Sequence, residues 1–81
     1  MSIDSNLQAE IDLLNLFDLN SIQQGLKVHH EAEQERIAAA ERLFRKGMIT
    51  LVDGGYLTDR GLEAAEHAKA LLGVLQDAQE A

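Results

Sequence analysis

Histidines, carboxylates and hydroxyls are the side chains in this 81-residue chain whose types could do chemistry, and their spacing limits what they can do. His29 and His30 are adjacent. In a helix or a strand two such side chains point in different directions, so a metal site needs their loop to fold back onto Glu31, Glu33 or His67. Glu63 and His67 stand at i and i+4, which gives them one helix face and at most two ligands, and a surface pair is the plainer reading. No third ligand is apparent, and no metal or cofactor is expected. The chain has no cysteine, which removes thiolate ligands, thiol nucleophiles and disulfides. Ser2, Ser5 and Ser21 each sit where a cap or a terminus explains them, with no base at a recognisable spacing. Gly54-Gly55 leads into a strand-like run, whereas a phosphate-cradling loop leads into a helix N-terminus. These absences predict a chain that is not an enzyme.

Charge is the next source of function. The formal net charge is −7, which argues against non-specific attraction to nucleic acid or to an anionic membrane. The distribution is uneven, because Asp4, Glu10, Asp12 and Asp18 lie in a first segment without a base, while five of the seven bases, Lys27, Arg36, Arg42, Arg45 and Lys46, lie in the middle. There they are offset by Glu31, Glu33, Glu35, Glu41 and Asp53.

The elements that must position these groups are organised around 46–61, KGMITLVDGGYLTDRG, which holds four of the six glycines. Met48 to Val52 and Tyr56 to Thr58 carry residue types that suit a pleated surface, so a two-stranded hairpin is expected over 48–52 and 56–58 with Asp53, Gly54 and Gly55 at its tip. Gly47 is the expected stop of the helix before it, Thr58 the N-cap of the helix after it, and Gly61 a point of close backbone approach. Helices are predicted at about 5–17, capped by Ser5 with Gln8 reaching back, at 20–26, at 33–46 and at 59–76. The second is poorly specified because Gly25 weakens it, and an extended stretch at Leu26 to His29 is its alternative. The 33–46 helix has acids in its first turn and bases in its last, with Ile37, Ala40, Leu43 and Phe44 as its buried stripe. The whole chain, 1–81, makes one domain, mostly α with one hairpin, ending in a frayed tail at 76–81. Double apolar stripes on the first and last helices exceed what so small a domain can cover, so a homodimer is expected through Leu13, Leu16, Leu71, Val74 and Leu75. There is no basic and apolar leader and no apolar run of membrane-spanning length, and the expected setting is cytoplasmic.

The stretch from Ile37 to Ala65 resembles winged helix-turn-helix domains of the MarR and PadR kind. The resemblance rests on Leu43, Gly47, Met48 and Ile49, then on Leu57, Thr58 and Gly61 after the turn. Through Gly25 to His30 and Asp53 to Thr58 the chain is also similar to short, uncharacterised bacterial proteins described as conserved hypothetical or DNA-binding. The resemblance implies a winged-helix-like fold whose 33–46 helix is the recognition helix, with Gln34 at base edges and Arg36, Arg42, Arg45 and Lys46 on phosphates. It implies a transcription-regulator-type binder of double-stranded DNA. The alternative is an acidic module on the same scaffold that binds protein. Asp53 at the hairpin tip, and Glu33 and Glu35 at the start of the helix, are departures that disfavour phosphate.

Overall fold

The computed structural model describes residues 3–21 and 23–78. Its elements run α1 (Ser5–Leu14), β1 (Leu26–Lys27), α2 (Gln34–Arg45), β2 (Ile49–Leu51), β3 (Gly54–Leu57) and α3 (Asp59–Ala78). Three helices and a three-stranded antiparallel sheet in the order β1-β3-β2 therefore replace the expected four helices and two-stranded wing.

The change begins at α1. Asp4, not Ser5, is its N-cap, and the Asp4 carboxylate accepts the Leu7 amide at 2.9 Å. Gln8 does not reach back but donates to Asp12 one turn ahead. The helix stops at Leu14, three residues short of expectation, and tighter turns take over, with the Leu16 and Phe17 amides donating to the carbonyls of Leu13 and Leu14. Phe17 is buried by that turn.

No helix forms among the described residues of 20–26. Asp18 holds the Asn20 amide with its side chain and the Ser21 amide with its carbonyl, a local arrangement that competes with helix. Gly25 then lies against β3, where an added Cβ would stand 3.0 Å from the Gly55 carbonyl oxygen. Leu26 and Lys27 extend as β1, opposite Gly55 and Gly54. Here the extended alternative for Leu26 to His29 is the one that forms over its first two residues.

The hairpin forms as expected in kind and shifts in detail. β2 and β3 pair antiparallel, with Ile49 opposite Leu57 and Leu51 opposite Gly54, so Val52 and Asp53 alone make the turn and the glycine pair belongs to β3. Between these pairs Thr50 alone of β2 faces Gly55 and Tyr56 of β3, and Gly55 takes the extra place at φ 78° as the left-handed residue of a bulge. The Thr50 hydroxyl accepts the Tyr56 amide there, at 2.9 Å. Gly54, also at positive φ, leaves no room for a side chain, because an added Cβ would lie 2.1 Å from the Leu26 carbonyl oxygen. The two glycines thus admit a third strand, not merely a turn.

α2 ends as its sequence predicts. Gly47 is at φ 77°, its amide donates to Phe44 and the Met48 amide to Leu43, a double closure of the last turn. Thr58 caps α3, accepting the Gly61 amide at 3.0 Å while its hydroxyl donates to the Gly47 carbonyl at 2.6 Å. Gly61 passes against the Met48 carbonyl, where an added Cβ would be only 1.9 Å away. α3 runs on through Ala78, so the tail expected from 76 is helical for three residues and then lies outside the described ones.

The core gathers Leu13, Leu14 and Phe17 from α1 and its turn, Val28 after β1, Ala39, Ala40 and Leu43 from α2, Ile49 from β2 and Ala65 from α3. The expected stripe on α2 needs correction. Ala39 is fully buried and Phe44 is exposed, because α1 packs against the side of α2 that carries Ala39 and, one and two turns on, Arg42 and Lys46. Alanine lets two helices approach closely where a larger side chain would hold them apart.

Candidate interaction surfaces

The basic residues expected to meet phosphate are placed by α2, and most are occupied within the chain. Glu10, 5% exposed on α1, receives the Arg42 guanidinium through Nε at 2.9 Å and the Lys46 ammonium on its other oxygen. Arg42 also donates to the Asn6 carbonyl at 3.2 Å. Arg45 pairs with Glu41 one turn back at 3.5 Å. Gln34 and Arg36 are exposed near the start of α2, and Arg36 forms no ion pair with a described residue. Arg42 is therefore not a surface cation off the packed stripe, as its position had suggested, but part of the joint between α1 and α2. Two cations four residues apart on one helix face repel unless an anion lies between them, and that spacing was the available signal for Glu10.

The hairpin tip is also neutralised in part. Lys27 donates to Asp53 at 2.8 Å, and that hydrogen bond holds the Asp53 carboxyl below the usual carboxylate range. The Asp53 carbonyl accepts the Val28 amide, so this turn and the end of β1 are joined twice. A shallow pocket of about 210 Å³ lies beneath the tip, between Lys27, Val28 and Asp53 on one side and Ile37 and Ala40 of α2 on the other.

No group of three metal-ligating side chains converges among the described residues. His29 and His30 are exposed. His67 and Glu63 stand 3.9 Å apart on an exposed face of α3.

A more voluminous groove, about 460 Å³, opens between α1 and α3. Ile3, Gln8, Ile11 and Leu14 form one wall, and Ala64, His67, Ala68, Leu71, Leu72 and Leu75 form the other. No Asp, Glu, Lys or Arg lines it. Leu71, Val74 and Leu75 are exposed by 53%, 67% and 53%, as three of the five residues expected at a dimer contact should be. Leu16 is exposed as well, whereas Leu13 is enclosed in the core and cannot reach a partner. Ile3 is an addition that helical periodicity could not find, because it precedes the helix.

The chain is thus a small α+β domain in which two helices leave an uncharged groove beside a three-stranded sheet. It belongs to a family of unknown function (DUF5669), whose model matches residues 1–76. No curated protein and no solved structure matches it. No helix among the described residues is long and apolar enough to cross a membrane.

Proposed function

We propose that this protein is a non-enzymatic interaction module that docks protein through the groove between α1 and α3. The observation that carries the reading is the groove itself, apolar over both walls but for Gln8 and His67 and lined by no formal charge. A soluble surface rarely keeps contiguous apolar area of this kind without a use for it. A second copy of the chain is among the partners that the reading predicts.

DNA binding through α2 is the competing proposal, favoured by the exposure of Gln34 and Arg36 at the start of that helix. Affinity for duplex DNA comes largely from phosphates neutralised by cations. Arg42, Lys46, Arg45 and Lys27 are each already held by a carboxylate of the same chain. Moreover, only a turn at residues 29–32 separates β1 from α2, so among the described residues no helix stands directly before α2 as the first helix of a helix-turn-helix does. Titration against a random-sequence duplex at low and moderate salt separates the two proposals. The docking reading expects no binding at either salt, and binding that weakens steeply as salt rises would overturn it.

A further inference from the structure

We infer that the occupant of the groove is α3 of a second copy, laid antiparallel, so that the two helices pair about a two-fold axis near residues 69 and 70. The inference rests on the docking reading of the groove and names the partner. Its basis is the order of sizes along one stripe of α3: Ala64, Ala68, Leu71, Leu75, two small residues followed by two large ones, all facing the groove. Reversing the helix about its midpoint between 69 and 70 sets Leu71 of one copy opposite Ala68 of the other, and Leu75 opposite Ala64. Each leucine then meets a gap of its own shape, which is the self-complementarity that a two-fold interface requires.

Charge permits the same direction. With a net charge of −7, two copies repel unless their acids are kept apart. The antiparallel register sets Glu63 opposite Gln76, Glu66 opposite Gly73 and Asp77 opposite Leu62, so these three acids face no acid, and Asp59 alone comes opposite an acid, at sequence position 80. An uncharged groove also offers nothing that would favour a basic partner helix.

The exposed aliphatic side chains Ile3, Leu16, Leu71, Val74 and Leu75 keep on the order of 90 Å² each in water, roughly 450 Å² per copy, which places the contact at the small end of specific interfaces.

Sedimentation of the intact chain and two variants tests the inference. Wild type should be a dimer at tens of micromolar. Leu71→Glu should be a monomer that still unfolds cooperatively, its association weakened at least about a hundredfold by a carboxylate placed over Ala68. Ala70→Glu adds the same charge on the opposite side of α3 and should remain a dimer. A wild-type monomer at that concentration overturns the inference, and so does a dimer that survives Leu71→Glu. The duplex titration run on the same samples separates the levels of failure. A monomer that ignores DNA removes only the second copy as occupant, whereas a monomer that binds DNA with a steep salt dependence removes the docking reading as well.

Discussion

Glu10 ties the first half of the molecule together, and its surroundings decide what substitutions there will do. It is buried on α1 with one carboxylate oxygen toward Arg42 and the other toward Lys46. A buried carboxylate that loses a partner keeps its desolvation cost, so breaking such a pair usually destabilises by about 3–5 kcal/mol. Arg42 is a quarter exposed and Lys46 remains in place, which reduces the expected loss for Arg42→Ala to about 2 kcal/mol. Urea unfolding of Glu10→Ala, Arg42→Ala and the double variant checks this: the double should cost less than the sum of the singles, because the two share the Glu10–Arg42 pair. Asp53 gives a second, pH-dependent expectation. Its folded carboxyl is held below the ordinary value by Lys27, so its contribution to stability is complete above the unfolded aspartate pKa of about 3.9 and disappears as pH falls through the lower folded value. In Lys27→Met the Asp53 carboxyl, followed by NMR, should titrate closer to the ordinary value, and an unchanged titration would show that Lys27 is not the cause. Both groups are exposed, Lys27 on β1 and Asp53 in the hairpin turn, and solvent screens the pair.

Among the elements, the joint between α2, the hairpin and α3 is the best specified. Thr58 accepts from Gly61 and donates to Gly47, so one hydroxyl caps α3 and fastens it to the end of α2. Thr58→Val keeps the volume and removes both bonds, and should cost about 1–2 kcal/mol, seen as a Tm lower by roughly 5–10 °C. A change of under about 1 °C would mean that water replaces the hydroxyl at no cost. Gly47, Thr58 and Gly61 were legible in the sequence because a helix stop, a helix start and a glycine in a first turn are local signals. The third strand was not. Its pairing joins Leu26 and Lys27 to Gly54 and Gly55, residues far apart in sequence, and two residues carry too little pattern to announce a strand. The glycine pair could be read as a turn or as a crossing point, and only the approach of Leu26 decides between them. The same holds for the α2 face: its alternatives differ by one position around the helix, and the choice is made by where α1 docks. The acid that recruits Arg42 and Lys46 sits 32 residues before the first of them, so the spacing of the two cations calls for an anion without saying which. Four of the five residues expected at a dimer contact, Leu16, Leu71, Val74 and Leu75, are exposed, because apolar residues at helical spacing are a local signal as well, whereas Leu13 is enclosed in the core.

At the scale of the whole molecule, the core ends before α3 does. The residue of α3 buried in the core is Ala65, and beyond it Leu71, Val74 and Leu75 remain in contact with water. A 20-residue helix extends about 30 Å, longer than two of the three dimensions of the fold, 40 × 27 × 24 Å. Its distal turns therefore gain little from the single copy, and short isolated helical segments are marginal in water. If a second copy covers them, folding and association are linked, and mass action makes the melting temperature depend on protein concentration. Wild type should melt several degrees higher when its concentration is raised a hundredfold, since each kcal/mol gained from association raises Tm by roughly 4–8 °C in a domain of this size. Leu71→Glu should melt at one temperature across the same range, because Leu71 is already half exposed and its replacement leaves the Leu13, Leu43 and Ala65 core untouched. Calorimetry at several concentrations measures both slopes. Equal slopes for the two proteins would mean that α3 keeps its distal turns without help from a partner at this stripe.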